Sequence, residues 1–470
     1  AKQAISVYIV DTAGRSPVGK QAARSQIGFS DRLLSHSGHA RFFSHLALWI
    51  LLLMQGWTPS AFAQLKIRDI RNAEPNQPKS FVLPYVFSSE TYGFSVGATG
   101  MVSGVWQDQV TFYGDAFMGA NQSYQITGGA HHVRLSPTDR LFVSPEMHVT
   151  RYGDVHAYIS GNPSFPGQRP GSNDSNPENY ISNSAWDTGA NLRFRYVLPW
   201  GHGRKHVVNA VTLDRGLLHS PPVGGKQWNP LSSGRTTLMV DPFYRSQRID
   251  RDVGDRSVVS QGVRFEIEHD NTDFVLNPSK GSIQRLALTR DWGFIEGSDP
   301  WTQWEAEYSK FISLGTTNRH RQRVLAFDAW LSDVPTWQLE TVGAATTVNR
   351  RPPYFEGSTL GGFDRMRAFP SNRFHDRSAV YYSLEYRAIP TWNLFDAMTW
   401  LPVDVHWWQW VVYGEVGRVA HDLDLQELHQ DMKWDLGFGI RTFSEGVVGR
   451  VGMAFSREDW SILALFGHPF

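Results

Sequence analysis

The chain contains no cysteine, which removes disulfide frameworks, thiolate metal sites and cysteine nucleophiles at once. A cysteine-free composition also suits an oxidising compartment, where stray thiols are a liability. Charge of one sign is missing too: the formal net charge is zero and the sequence pI is about 7.5, so there is no basic surface for a nucleic acid. Methionine and lysine are scarce, at nine residues each, and the cations are mostly arginine. Arginine suits fixed, planar ion-pair networks better than a mobile solvated surface. The chemistry-bearing motifs of common enzymes are absent as well. There is no G-x-S-x-G elbow. Gly224-Gly225-Lys226 is not a phosphate-binding loop, because Ser220 stands where the first glycine is needed. His131 and His132 would point to opposite faces of a strand, a poor geometry for a metal. No catalytic residue, metal or cofactor is expected, and the chain reads as a non-enzyme. A phospholipase whose serine and histidine come from separate strands is the enzymatic alternative.

Long apolar runs are lacking except at Leu46–Met54, LALWILLLM. Those residues reach only about half of a ~30 Å hydrocarbon core, so they do not form a transmembrane helix. Arg41 before the run and Ala61-Phe62-Ala63 after it describe a secretory signal peptide over 37–63, cleaved before Gln64. Residues 1–36 are polar and unpatterned, a leader or a start-site artefact. Residues 64–80, with Pro75 and Pro78, read as a short periplasmic linker.

What is abundant is glycine, at 42 residues, and aromatic side chains. Both favour twisted strands and turns over helices. From 81 to 470 the sequence alternates with period two, broken every 10–14 residues by Gly, Asp, Asn and Ser. Trp434, Leu436, Phe438 and Ile440 share one face of such a segment, and Asp435, Gly437, Gly439 and Arg441 share the other. Tyr382, Leu384 and Tyr386 likewise face away from Ser383, Glu385 and Arg387. A soluble sandwich also alternates. Here the outward set is heavily aromatic and aliphatic over many strands, which is the lipid-out, polar-in pattern of a transmembrane antiparallel β-barrel. Lipid tolerates a sheet only when it closes and leaves no unpaired edge. The pattern predicts sixteen strands, with the first at 92–104, the sixth at 206–216 and the last at 461–470. That count places the long 153–184 connection on the periplasmic side, at odds with the rule that long connections are extracellular.

One long connection, 333–377, holds Gly361-Gly362, then Arg367-Ala368-Phe369, then Arg373-Phe374-His375-Asp376. A strand with Glu385-Tyr386-Arg387 follows it, and Tyr413-Gly414-Glu415-Val416-Gly417 lies in the next. Together with His269-Asp270-Asn271-Thr272…Asn277-Pro278-Ser279-Lys280-Gly281 and Ser89-Glu90-Thr91-Tyr92-Gly93, this order resembles the bacterial surface-antigen barrels, the BamA/TamA-like outer-membrane family. The resemblance implies that 333–377 folds back into the lumen, with Glu385, Arg387 and Glu415 as candidate partners for its arginine. An arginine carried into a lumen needs a carboxylate, because an unpaired buried charge is costly. Ala368 stands where the family has glycine, which implies a somewhat different loop tip. Ile462, Phe466 and Phe470 resemble the family's C-terminal assembly signal, so the barrel-assembly machinery and outer-membrane lipid are the expected partners.

Relatives insert barrels or export proteins, and those acting on client proteins carry periplasmic POTRA modules. The 17 residues of 64–80 leave no room for one. The expectation is therefore a bacterial outer-membrane barrel without docking modules that aids protein or lipid insertion or translocation. The alternatives are a passive barrel plugged by its own loop and a secreted soluble β-protein.

Overall fold

The computed structural model describes residues 79–89, 92–208, 211–225, 228–250, 256–342, 345–398, 404–444 and 446–466. All of them belong to one compact unit, residues 44–470. The expected leader, signal peptide and Phe470 lie outside the described residues, as does the linker except for Lys79 and Ser80.

The wall is built from β1 (Lys79–Ser89), β2 (Gly93–Ser103), β3 (Thr111–Gly119), β4 (Tyr124–His131, resuming at Val133–Arg134) and β5 (Leu141–Ala157). It continues through β6 (Ile181–Val197), β7 (Arg235–Ile249), β8 (Arg256–Asp270), β9 (Gly281–Asp291), β10 (Trp301–Ser313) and β11 (His320–Asp333). The last five are β12 (Ser378–Pro390), β13 (Val405–Ala420), β14 (Lys433–Ser444), β15 (Val447–Phe455) and β16 (Trp460–Phe466). Each strand pairs antiparallel with the next in sequence, so the order is an uninterrupted meander.

Among the described residues the wall has sixteen strands, but one of them is not expected and one expected strand is not in the wall. β1, Lys79–Ser89, lies ahead of the expected first strand at 92–104, and Pro84 interrupts its alternating pattern. The strand expected at 206–216 does not exist in the wall. That stretch holds a small inner hairpin, Leu213–Asp214 with Leu217–Leu218, turned by Arg215 and Gly216, both at positive φ as a two-residue I′ turn requires. With β1 counted, the 158–180 connection lies at the end of the barrel opposite the strand termini, together with 334–377, while the long 198–234 connection remains at the terminal end.

The burial pattern is the reverse of a soluble protein's. Outward positions are apolar and open: Phe94, Ile126, Met147, Phe265, Leu286, Leu384, Val412, Leu436 and Phe438 are all exposed. Inward positions are polar and buried, among them Asp115, Gln125, Asp187, Glu268, Asp328, Gln409 and Asp435. Pairing register keeps each phase intact across neighbours, with outward Leu384 opposite Gly414, Gly414 opposite Leu436, and Leu436 opposite Phe455. A one-residue slip would reverse every face, so the pattern itself fixes the register.

The 334–377 segment lies inside the curved sheet. Its Tyr354 and Phe355 join a cluster with Tyr85, Tyr113, Phe117, Tyr152, Ala185 and Ile249 from five strands between β1 and β7. Further along it meets Glu307 of β10, Asp435 of β14, Arg450 of β15 and Ser461 of β16. One segment touched by strands from both ends of the meander can only be surrounded by it, so the sheet wraps into a barrel around its own loop.

Candidate functional site

Gly361 and Gly362 turn the chain at φ of 104° and 113°, conformations that side chains resist. An added Cβ at Gly361 would lie 2.2 Å from the Pro370 carbonyl, so the two arms of the loop approach closely there. The flanking residues pair as a short ladder, Ser358–Leu360 with Phe374–Asp376. The left-handed residue at the tip is Met366 (φ 58°), not its neighbour Ala368. Alanine is therefore accommodated where the family carries glycine. Ala368, Phe369 and Phe374 are buried together with Leu360 and Met366.

The tip delivers Arg367 to the inner wall. Its Nε donates to Glu415 at 2.9 Å and its Nη2 to Glu385 at 2.9 Å, so it meets both of the expected carboxylates. Its backbone N–H also donates to Glu415, at 2.8 Å, and its guanidinium lies 3.5 Å from the centre of the Tyr413 ring. The Ala368 N–H donates to Asp435 at 3.1 Å, and Ser461 Oγ donates to the Arg367 carbonyl at 2.6 Å. Glu385 also receives Arg387 and Arg441, each at 2.7 Å, so one carboxylate serves three guanidiniums. Tyr381 hydroxyl donates to Glu415. Room for this stack comes from Gly437, directly opposite Tyr413, where an added Cβ would sit 2.2 Å from the ring.

Tyr381, Asp435, Arg441 and Ser461 complete the clamp from outside the motifs. For Asp435 and Arg441 the signal is the inward phase of charged residues on adjacent strands, which places Asp435 beside Glu415. A cavity of about 30 Å3 lies against the clamp, between Arg367, Tyr413, Arg441 and Arg450. That volume suits a water or two, not a solute.

The base of the loop is fastened differently, to the 158–180 connection. Arg373 donates to Ser175 Oγ (2.9 Å) and Ser175 O (2.6 Å), and pairs with Glu458 at 2.9 Å. Asp376 pairs with Arg169. The His375 N–H donates to the Gly171 carbonyl, and its ring Nε2–H to the Tyr158 carbonyl, both at 2.8 Å. Burial pushes the His375 imidazole down to about 3 against the bond to the Tyr158 carbonyl, and the nearby Arg351, Arg169 and Arg373 add to the lowering. The far end of the barrel thus carries a lid stitched to the loop that fills the lumen. Among the other expected residues, Ile462 is outward and exposed, Phe466 ends β16, and Phe470 is outside the described residues. Among the described residues no cluster of His, Asp and Glu could hold a metal.

The chain has a likeness to several solved structures. CdiB from Acinetobacter baumannii matches 82% of this chain and 58% of its own, at 8% identity and a TM-score of 0.43. BamA from Haemophilus ducreyi, lacking POTRA domains 1–3, matches 84% and 70%, at 10% identity and 0.45. CdiB from Escherichia coli matches 84% and 62%, at 13% identity and 0.48. The chain is similar in fold to BamA and CdiB. It spans 58% of the length of the first of these structures and 62% and 70% of the others. Neither a family model nor a curated protein matches the sequence.

Proposed function

We propose that the chain is a bacterial outer-membrane barrel of the surface-antigen type, acting in the insertion or translocation of protein or lipid. The observation that carries this reading is the clamp. A loop between β11 and β12 enters the lumen and seats a single arginine on carboxylates of β12 and β13. The outward apolar face supports the membrane location, because large contiguous apolar surface is not left to water. Native-membrane fractionation with unboiled gel migration tests the location, and proteins co-purifying from those membranes test the activity. A soluble fraction, or migration unchanged by boiling, would refute the barrel in the membrane.

A passive, self-plugged barrel is the second reading, favoured by the water-sized space at the clamp. Accumulation of unfolded barrel precursors or loss of a surface protein on deletion supports the first reading. An unchanged outer-membrane proteome supports the second.

A further inference from the structure

The 198–234 connection follows β6, so it lies at the end of the barrel where the strands begin and finish, opposite the lid. It starts beside β5, where Arg140 holds the Gly203 carbonyl at 2.8 Å. Its hairpin, 213–218, then packs far from that start. Val211, Leu213, Leu217 and Leu218 join a cluster with Ile389 of β12, Trp407 of β13, Phe443 of β14 and Val448 of β15. Trp407 Nε1 donates to the Gly216 carbonyl at 2.8 Å, and an added Cβ at Gly216 would meet Trp407 at 2.7 Å and Phe443 at 2.8 Å. A segment rooted between β6 and β7 and seated on β12–β15 runs across the mouth.

The seat is the second observation. Buried polar side chains line much of the lumen, yet four consecutive strands turn apolar side chains inward at this level. Ile389, Trp407, Phe443 and Val448 are each at most 2% exposed, covered by the hairpin together with Phe274, Val275 and Leu276 of the turn between β8 and β9. An inward apolar patch in a wet lumen is unfavourable unless something covers it. The wall and the hairpin are therefore built for each other.

We infer that residues 211–220 form a second plug, closing the terminal end of the barrel independently of the inturned loop. This rests on the barrel reading above. Barrels of this strand number are wide enough for an aqueous channel. Each plug alone suffices to close it, and passage of any client or solute requires both to move.

The test is conductance of the full chain in planar phospholipid bilayers, on samples whose heat-modifiable migration shows a folded barrel. Four proteins are compared: the native chain, a deletion of residues 363–370, Leu217→Asp/Leu218→Asp, and the combination. Both single changes are expected to conduct within twofold of the native chain, and the combination at least tenfold more. If the tip deletion alone opens the barrel as fully as the combination, or the combination stays closed, the second plug does not exist. If the native chain fails the migration test, the barrel reading fails instead.

Because the chain lacks cysteine, a second measurement needs no destabilising change. Val211→Cys in reconstituted vesicles should react with a maleimide at least tenfold more slowly than Leu231→Cys. Equal rates would overturn the plug even if the Asp variants do not fold.

Discussion

Removing the Arg367 side chain strips charge from Glu415 and Glu385 unequally, and the inequality can be measured. Glu385 keeps Arg387 and Arg441, each at 2.7 Å. Glu415 loses its only ion pair among the described residues and retains the Tyr381 hydroxyl and a backbone N–H, beside Asp435. Breaking a buried pair by removing one partner costs about 3–5 kcal/mol, because the survivor is left buried and uncompensated. Arg367→Ala should fall in that range, with the damage concentrated at Glu415. Glu415→Gln keeps the shape and leaves Arg367 with Glu385, so about half that cost is expected, roughly 2 kcal/mol. In the double variant the orphaned carboxylate no longer exists, and the total should fall short of the sum by about 1–3 kcal/mol. Glu385→Gln should be the worst single change, since three guanidiniums then share no carboxylate there. The assay is urea titration of the reconstituted barrel, run alongside protease cleavage within 345–375. Additivity within about 0.5 kcal/mol, or Glu385→Gln milder than Glu415→Gln, would refute the charge accounting.

Phe438→Arg, on an outward position 53% exposed, should destabilise the barrel in a bilayer by about 2–4 kcal/mol and much less in detergent of short chain length. Equal effects in both would mean the position does not face lipid. Gly437→Val should push Tyr413 out from beneath Arg367 and mimic Arg367→Ala in the protease assay. Adding Tyr413→Ala should recover part of the loss, and no recovery would exclude the steric route. The His375 ring is neutral when seated, with a folded value near 3 against about 6.5 when released. Its contribution to the lid is therefore present above pH 6.5 and lost as pH falls. Lid opening should rise up to tenfold per pH unit between about pH 6 and pH 4.5, a slope that His375→Gln removes. Hydrogen exchange at 158–180 reads this, and a flat profile in the native chain would refute it.

The strand phases were legible because lipid and lumen impose opposite demands on alternate residues, and Phe438 against Asp435 shows both in four positions. The clamp was legible as a motif, but not its shared character. Nothing in the sequence says that Arg441, two strands from the loop's exit, converges on the carboxylate that Arg367 uses. The failures have one cause. Phe81-Val82-Leu83-Pro84-Tyr85 is apolar without clean alternation, while Val211, Leu213, Leu217 and Leu218 are apolar because they cover a patch inside. Hydrophobicity alone does not separate a face toward lipid from a face toward another piece of the same chain. The partners of Arg373 were out of reach for a different reason, since Ser175 and Glu458 are set by how the barrel closes, not by local pattern.

The seat of the 213–218 hairpin has a mechanical consequence. A cylinder of paired strands is stiff along its length but soft in cross-section, because its outline can flatten without breaking a hydrogen bond. A strut from β6–β7 to β12–β15 at one end fixes one diameter, and the Arg367 clamp pins the loop to β12–β14 deeper in the lumen. With both struts in place the outline is held nearly rigid. Any spreading of the wall then has to begin with the release of one of them.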